Sequence, residues 1–355
     1  MKAAIVVTSI NDCTELLNGY LANFAKYGRE ATIYLIPDVK TPLKMLNYQG
    51  IWIRVPSGGE QVEFLGKVGY HSPADIPWNS DNRRNVGYLM ALADGAEMIV
   101  SIDDDNYCPE DEDFIAEHEK SMCRGRAPTR EPSSLSVEGG WYNNCWLLRP
   151  YVNYYPRGFP YFARHEFFKN ARLLKNENPV YMNAGMWLGD PDLDAMTWLH
   201  TPFQVAHFEG SVVLAPDTWC PINSQNTAVH RDLMGAYYFI RMVPPNDRFG
   251  DIFQGYFALK VAKHMGWTAR FGSPVVTHRR NSHVYLKDVQ KEIEPILMLE
   301  ELLPKLIEHK LTGTTVEESY LSLADFIEQQ GTQFYSDTAR LMRQWAATCR
   351  RISDG

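Results

Sequence analysis

The sequence of 355 residues contains no apolar run close to the roughly 20 residues that a membrane-spanning helix needs. Its six cysteines are scattered and form no Cys-x-x-Cys pair, which argues against a disulfide framework and a structural zinc site. Long basic blocks are also missing and the formal net charge is −8, so nucleic-acid binding is not expected. These absences predict a cytoplasmic protein with reduced thiols and no membrane span.

Apolar runs alternate with helical patterns over the first hundred residues. Residues 3–10 and 31–38 are typical of buried strands, and 50–59 gives a third extended segment before a glycine-rich break. A helical pattern over 81–95 precedes another buried strand, 96–105. This alternation predicts an α/β fold whose mostly parallel central sheet is flanked by helices. In such sheets, ligands bind beyond the carboxyl ends of the strands.

The rest of the chain changes character twice. Residues 124–230 are rich in proline and aromatic side chains, which predicts loops and short strands covering a crevice. Residues 285–355 have a helical apolar stripe that Pro304 interrupts, and TVEE (315–318) has the spacing of a capping box. We therefore expect a first domain over 1–284 and a helical C-terminal extension over 285–355, whose helices are candidates for homo-oligomer contacts.

Three consecutive aspartates, Asp103, Asp104 and Asp105, end the last apolar run of the first part. Alternate side chains of a strand share a face, so Asp103 and Asp105 are expected to point together and Asp104 away. Two neighbouring carboxylates suit Mg²⁺ or Mn²⁺, with phosphate oxygens as further ligands. The alternative is that one aspartate caps the next helix and the others are solvated.

Other polar residues near strand ends are candidates for contacts with a nucleotide. Arg83 or Arg84 could reach a phosphate or a base, and Asp38 follows the second strand, where it could bind a base or ribose. Thr8 and Asp104 belong to the same group of candidates for nucleotide contact. The arginines could equally be solvated at the surface, and Asp38 could be a simple turn residue.

The SIDDD run resembles the acidic metal motif of GT-A-fold glycosyltransferases. More specifically, the chain resembles the reversibly glycosylated polypeptides, the family that contains the UDP-arabinopyranose mutases, over about 80–295. The stretches that carry the resemblance are RGFPYFAR (157–164), GMWLGDPDLDA (185–195), NTAVHRDLMGAYYF (226–239), and RFGDIFQGYFALKVAKHMG with GSPVVTHRRNSHVYLKDVQKE (248–266 and 272–292). The HRRNSH stretch departs from the family, which usually has a serine and a lysine after the histidine.

The resemblance implies a GT-A-like catalytic domain over 1–284 that binds a UDP-sugar through Mn²⁺ or Mg²⁺. Asp103 and Asp105 match the metal positions, and His278 would complete the coordination or contact the diphosphate. Asp251 stands where such enzymes keep an acidic residue near the reacting sugar. Alternatively, His278 is satisfied by backbone hydrogen bonds and Asp251 begins a helix as its N-cap.

Two arginines of the RGFPYFAR stretch are further candidates for the catalytic site. In the family, an arginine of this segment is associated with reversible attachment of the sugar. A guanidinium is a poor nucleophile because it stays protonated, so we favour Arg157 and Arg164 as clamps for the diphosphate leaving group. An aromatic cluster, Trp141, Tyr142, Trp146 and Trp187, could stack on the sugar, with Trp187 as the first candidate, although such residues more often belong to the core or a lid.

Three hypotheses on function follow. The first is a metal-dependent enzyme that interconverts the ring forms of a UDP-linked pentose, with possible self-glycosylation. In the second, a protein of the same fold transfers the sugar to a separate acceptor, and the altered HRRNSH stretch (278–283) favours this hypothesis. The third is a non-catalytic nucleotide-sugar-binding or assembly subunit, which the long helical tail favours.

Overall fold

The computed structural model describes residues 1–48, 50–122, 133–164, 170–244 and 246–354. In chain order, its strands are β1 (Ala3–Ser9), β2 (Ala31–Pro37), β3 (Ile53–Arg54), β4 (Met98–Ile102), β5 (Asn106–Tyr107), β6 (Ser133–Val137), β7 (Leu148–Arg149), β8 (Ala171–Lys175), β9 (Val180–Gly189), β10 (His207–Phe208), β11 (Val212–Val213), β12 (Asn226–His230) and β13 (Thr268–His278). The α-helices are α1 (Thr14–Tyr27), α2 (Leu43–Leu46), α3 (Gly58–Lys67), α4 (Arg84–Ala93), α5 (Phe114–Ser121), α6 (Ala195–His200), α7 (Gly250–His264), α8 (Tyr285–Glu308), α9 (Val316–Glu328) and α10 (Gln333–Asp354). Short 3₁₀ segments lie at Asp81–Arg83, Asn144–Leu147, Tyr161–Ala163 and Arg231–Ala236.

A sheet of nine strands runs through the described residues in the order β11-β13-β9-β12-β4-β1-β2-β3, with β5 paired to β13. Strands β1, β2, β3, β4, β9 and β13 run in the same direction, whereas β5, β11 and β12 run against them. The predicted α/β fold with a mostly parallel central sheet flanked by helices is therefore confirmed. Because six strands share one direction, their carboxyl ends lie along a single edge of the sheet.

Close packing of α4 against the sheet depends on a glycine. A Cβ added to Gly87 would lie 2.4 Å from Cγ1 of Val6 on β1 and 2.9 Å from Cγ1 of Ile36 on β2. A larger residue would push the helix away from both strands, which are buried apolar runs as the sequence predicted. The first residue of α4 is Arg84, so this contact sets the position of its side chain at the carboxyl edge of the sheet.

Residues 124–230 differ from the prediction of loops and short strands covering a crevice. Strand β9 is ten residues long, and it lies with β12 in the middle of the central sheet. The prediction missed both strands because the proline-rich and aromatic segments around them hid their apolar pattern. Residues 123–132 and 165–169 of this region lie outside the described residues.

Two smaller predictions about local structure were also wrong. Only Ile53–Arg54 of the third extended segment pairs in the sheet, and Gly58 begins α3, because Ser57 and Glu60 form a capping box there. Pro304 does not interrupt the C-terminal helix, since α8 continues to Glu308.

The C-terminal helices pack on the rest of the chain. The apolar stripe of α8 buries Leu299, Leu302, Leu303 and Leu306, and the predicted capping box of α9 forms between Thr315 and Glu318. Helix α9 contacts α7, and α10 contacts α4 and the 3₁₀ segment Arg231–Ala236. The boundary at residue 284 stays a prediction, as do oligomer contacts through these helices.

The described residues contain free cysteines and no helix suited to span a membrane. Five cysteines in the described residues, Cys13, Cys108, Cys145, Cys220 and Cys349, are free, and Cys123 lies outside those residues. None of the described helices combines the length and the apolarity needed to cross a membrane.

Replacing Gly255 with alanine should lower the free energy of unfolding by about 3 kcal/mol. Its Cβ would lie 1.9 Å from the carbonyl oxygen of Ile222. Because that oxygen belongs to the backbone, the added methyl group fits only if α7 or the chain at Ile222 is displaced. Gly66 in α3 is the matched control, because a Cβ there meets no atom within 4 Å. Gly66→Ala should leave stability unchanged or raise it by up to about 1 kcal/mol. Urea unfolding of both variants measures the effect, and equal stabilities would contradict the close packing of α7.

Candidate active site

A cavity of about 410 Å³ opens at the carboxyl edge of the sheet. Thr8 lies near the end of β1, Asp103 follows β4, and His278 ends β13. The predicted site residues that line the cavity are Thr8, Arg84, Asp103, Asp104, Asp105, Arg157, Asp251 and His278. The volume falls within the usual range for small-molecule sites.

Arg84 holds the first aspartate of the triplet. Its Nη2 donates to Oδ1 of Asp103 at 2.6 Å, and its Nη1 donates to the hydroxyl of Ser224 at 2.7 Å. Burial raises the pKa of Asp103, although the guanidinium of Arg84 opposes that rise. Arg83, the other candidate, is buried away from the cavity against Gln61 and the ring of Trp78.

The third aspartate is paired with the predicted histidine. Nε2 of His278 lies 3.4 Å from Oδ2 of Asp105, and its Nδ1 donates to the carbonyl oxygen of Asp190. Burial disfavours the charged forms of Asp105 and His278, but the contact between the two side chains favours them more strongly. It lowers the pKa of Asp105 and raises the pKa of His278. The histidine is thus held by one backbone contact, as the alternative predicted, and by one carboxylate. Its contact with a metal or a diphosphate stays a prediction.

Strand alternation predicted that Asp104 points away from Asp103 and Asp105, and this prediction was wrong. Strand β4 ends at Ile102, and the amide of Asn106 donates to the carbonyl oxygen of Asp103 at 3.2 Å, so the triplet lies in a turn. The Asp104 carboxylate accepts hydrogen bonds from Asn11 at 2.9 Å and Asn281 at 3.3 Å. All three aspartates therefore face the same cavity.

The donor set suits a divalent cation that shares its coordination with a ligand. Among the described residues, no group of three or more His, Cys, Asp and Glu side chains is arranged to hold a metal. Asp103 and Asp105 nevertheless line one cavity with His278, and carboxylate oxygens with an imidazole nitrogen suit Mn²⁺ better than Mg²⁺. The residues fit such an ion only if ligand oxygens complete its coordination.

Arg157 forms the second charged centre of the cavity. Its Nη2 and Nη1 donate to the two carboxylate oxygens of Asp251 at 2.7 and 3.0 Å, and its Nε donates to Asp192 at 2.9 Å. Nη1 also donates to the carbonyl oxygen of Arg248, so four of the five N–H groups are used. Although burial opposes it, Arg157 lowers the pKa of Asp192. Asp251 lies in the first turn of α7, whose N-cap is Phe249 rather than the aspartate.

The structure does not bring Arg164 into this cavity. Its Nη2 donates to Asp194 at 2.8 Å and to the carbonyl oxygen of Phe159 at 3.1 Å. Its guanidinium carbon lies 3.6 Å from the ring centroid of Tyr161. The two arginines of the RGFPYFAR stretch therefore meet different carboxylates.

Asp38 and Trp187 also lie outside the lining of the cavity. The Asp38 carboxylate accepts hydrogen bonds from the backbone amides of Asn79 at 2.9 Å and Ser80 at 3.2 Å, which fixes that loop. Trp187 is buried, and its Nε1 donates to Gln225 at 2.6 Å. Gln225 lines the cavity, so Trp187 supports the wall from behind.

Residues 140–353 match the model of the family described as "Reversibly glycosylated polypeptide". The chain belongs to this family. The match confirms the resemblance found in the sequence and extends it beyond residue 295, through most of the C-terminal helices.

Two curated relatives of the chain are named UDP-arabinopyranose mutases. UDP-arabinopyranose mutase 3 of Arabidopsis thaliana is 29% identical over 179 residues, which cover 48% of this chain and 49% of the relative. UDP-arabinopyranose mutase 1 of Oryza sativa subsp. japonica is 25% identical over 296 residues, which cover 78% and 74%. The matches to the first relatives thus span about half of their length.

Solved structures resemble the chain only weakly. A mannosyltransferase from Pyrobaculum calidifontis in complex with GDP-Man and Mn²⁺ covers 99% of this chain and 87% of its own, at 10% identity and a TM-score of 0.38. A likeness of this strength supports no conclusion about the site of this family member.

Several residues that line the cavity were not predicted. They are Asp81, Asp192, Ser224, Gln225, Phe239, Asp247, Arg248, Arg280, Asn281, His283 and Lys291. Asp192, Arg248, Arg280 and Lys291 stand inside stretches that carry the resemblance to the reversibly glycosylated polypeptides. Treating every charged residue of those stretches as a candidate would have found these four.

Asp81 lines the cavity and has a raised pKa, because its surroundings destabilise the charged carboxylate. Solvent reaches its side chain, yet it lies within the cleft among other acidic groups. Enclosure by the protein, together with the charges of Asp251 and Asp247, raises the pKa of Asp81 to about 7, although Arg84 opposes the rise. The group is therefore close to half-protonated at neutral pH.

Asp81→Asn should stabilise this reversibly glycosylated polypeptide in a pH-dependent way. The raised pKa means that the wild type loses stability as pH rises from about 4, the usual value for an aspartate, to about 7. The melting temperature of Asp81→Asn minus that of the wild type should therefore grow up to about pH 7 and stay constant above it. Thermal unfolding between pH 5 and 8 measures this. A difference that does not depend on pH would contradict the raised pKa.

Proposed function

We propose that the chain is a metal-dependent enzyme that acts on a UDP-sugar and interconverts the ring forms of a pentose. The observation that carries the proposal is the meeting of two charged centres in one cavity at the carboxyl edge of the sheet. One centre is Asp105 with His278, and the other is Asp251 with Arg157. Membership of the family and the names of the curated relatives support the UDP-sugar and the mutase reaction.

The first centre is the site for the diphosphate. Asp103, Asp105 and His278 would hold Mn²⁺ or Mg²⁺ beside it. When bound, such a cation offsets the negative charge that develops on the diphosphate as its bond to the sugar breaks. Burial raises the pKa of Asp103, and the 2.6 Å ion pair with Arg84 opposes this rise.

The nucleotide contacts of the proposal divide into two groups. Thr8 and Asp104 face the cavity, and there they are placed to hydrogen-bond the nucleotide. Asp38 and Trp187 lie behind the wall, so they act by holding the loop at Ser80 and the side chain of Gln225 in place. Their predicted direct contacts with the nucleotide or sugar would require these walls to move.

The second centre is the site for the reacting sugar. The bidentate contact with Arg157 fixes the orientation of the Asp251 carboxylate. An oriented carboxylate stabilises positive charge at the sugar C1, or accepts a proton from a ring hydroxyl. Ring interconversion needs both actions. The C1–diphosphate bond breaks, O4 gives its proton to the carboxylate and bonds to C1, the C1–O5 bond of the pyranose ring then breaks as O5 takes up that proton, and the diphosphate bonds to C1 again.

The roles proposed for Arg157 and Arg164 remain those of clamps for the departing diphosphate. Arg157 has one N–H group left for a phosphate oxygen, and Arg164 would have to leave Asp194. Reversible attachment of the sugar to an arginine is the less favoured part of the proposal. Two carboxylates hold the guanidinium of Arg157 in its protonated form, which is a poor nucleophile.

The test is incubation of the purified protein with UDP-arabinopyranose and either Mn²⁺ or Mg²⁺. We expect chromatography to show UDP-arabinofuranose, with no product when the metal is chelated. If neither metal gives the furanose form, the mutase reaction is excluded. Binding of UDP without any turnover would instead indicate the non-catalytic subunit.

Transfer of the sugar to a separate acceptor is the second candidate, and a second cavity favours it. This cavity of about 200 Å³ is lined by Trp141, Trp146, Tyr155, Phe159 and Phe162, and aromatic faces suit sugar rings. Release of UDP that requires an added saccharide would favour this candidate over the mutase. The cytoplasmic location stays a prediction under both.

A further inference from the structure

One cation of the main cavity has no anionic partner. The other cations are paired: Arg84 with Asp103, Arg157 with Asp192 and Asp251, Arg248 with Asp288 and Glu292, and Lys291 with Asp247. Within the described part of the chain, the guanidinium of Arg280 donates no hydrogen bond and forms no ion pair. Its charge in the cavity is therefore not compensated by a direct contact.

The position of Arg280 is fixed without the use of its side-chain donors. Its backbone amide donates to the Asp190 carboxylate at 3.0 Å. Its guanidinium carbon lies 5.0 Å from the ring centroid of Trp198 and 5.3 Å from that of Tyr285. These two rings stack on each other at an interplanar angle of 4°. Aromatic faces hold a guanidinium through its π face and leave its N–H groups free for a ligand.

The surroundings of Arg280 place it at the second centre of the cavity. Arg280 lines the main cavity together with Arg157, Asp192 and Asp251. A partly buried guanidinium without a partner is costly, and this cost falls when an anion binds. Arg157 has four of its five N–H groups occupied, and Arg164 is paired with Asp194 outside the cavity, so neither is as available as Arg280.

We propose that Arg280 binds an anionic oxygen group of the ligand in the main cavity. The inference rests on the UDP-sugar of the proposed function. The group is then the β-phosphate of UDP or, if the sugar is a uronate instead of the proposed pentose, its carboxylate. Both present paired oxygens to the planar guanidinium fork, which is the geometry that arginine binds best. Arg280 is thus a specificity-determining residue of the HRRNSH stretch, where this chain departs from its family.

The first arm of the test measures binding of UDP and UMP by calorimetry in the presence of Mn²⁺. If the anion is the β-phosphate, Arg280→Gln weakens UDP binding about 10-fold or more and leaves UMP binding unchanged. Arg280→Lys keeps the charge and recovers part of the affinity. Arg279→Gln is the matched control, because Arg279 pairs with Glu15 and stacks on Tyr107 outside the main cavity.

The second arm compares UDP-glucuronate with UDP-glucose. If the anion is a sugar carboxylate, the wild type prefers UDP-glucuronate and Arg280→Gln abolishes the preference without changing UDP affinity.

The proposal is overturned if Arg280→Gln binds UDP, UMP, UDP-glucuronate and UDP-glucose as the wild type does, or if it weakens UMP binding as much as UDP binding. Binding of inorganic pyrophosphate to the wild type distinguishes failure of the Arg280 proposal from failure of the proposed function. If the wild type binds pyrophosphate but no uridine nucleotide, the proposed function fails, and Arg280 is then tested by the pyrophosphate affinity of Arg280→Gln.

Discussion

Arg157→Gln should lower the free energy of unfolding by about 3–5 kcal/mol at neutral pH. The guanidinium bridges Asp192 and Asp251, and the side chains of all three residues are at least 86% buried. Without it, two carboxylates remain in the protein interior with no cation between them. Chemical denaturation of the variant and the wild type measures the loss.

The same change depends on pH in a defined direction. Arg157 lowers the pKa of Asp192, so the stabilisation from this pair is present above the usual aspartate value, about 4, and disappears as pH falls further. The deficit of Arg157→Gln should therefore shrink below about pH 4. Arg343→Gln is the control, because Arg343 also pairs with two carboxylates, but Asp325 and Glu328 are about half-exposed or more, so the change should cost less than about 1 kcal/mol. Equal losses in both variants would contradict the bridging role of Arg157.

Asp251→Asn should lower the rate of the proposed sugar interconversion by about 10³-fold, within the usual range for a catalytic carboxylate. Asparagine keeps an oxygen that accepts a hydrogen bond from Arg157, so the shape of the site is preserved. What is lost is the negative charge that would face the sugar C1 or accept a hydroxyl proton. Single-turnover measurements with UDP-arabinopyranose would show this loss in the chemical step, and UDP affinity should change little.

Asp75→Asn is the matched control for this variant. Asp75 is also a buried aspartate that pairs with an arginine, Arg340 at 2.8 Å, but it does not line the cavity. Asp75→Asn should therefore lower stability without lowering the rate. If both variants retain wild-type rates, Asp251 has no part in the chemistry and the proposed second centre fails.

The sequence predicted β1, β2 and β4 because these strands are continuous apolar runs separated by helical patterns. It also predicted the acidic triplet at the carboxyl edge, since Asp103 directly follows such a run. Strands β9 and β12 escaped detection because the apolar residues in them are interrupted by asparagine and glycine. Those polar and small residues lie at the centre of the sheet, where close approach and hydrogen bonding override apolar patterning.

The pairing of charges could not be predicted from the sequence. Arg157 meets Asp192 and Asp251, which are 35 and 94 residues away in the chain, so no local pattern joins them. The same applies to Arg280, whose neighbours Trp198 and Tyr285 lie on α6 and α8. Motifs supplied candidate residues, whereas the fold decides which of those residues already have partners and which are free to bind a ligand.

The account depends most on a divalent cation and a diphosphate meeting beside the acidic triplet. The direct measurement is a crystal structure of the protein soaked with Mn²⁺ and UDP, with the ion located by its anomalous signal. We predict an anomalous peak in contact with Asp105 and His278 and diphosphate density in the same cavity. Ordered UDP elsewhere, or a cavity that binds neither Mn²⁺ nor UDP at saturating concentrations, would contradict the account.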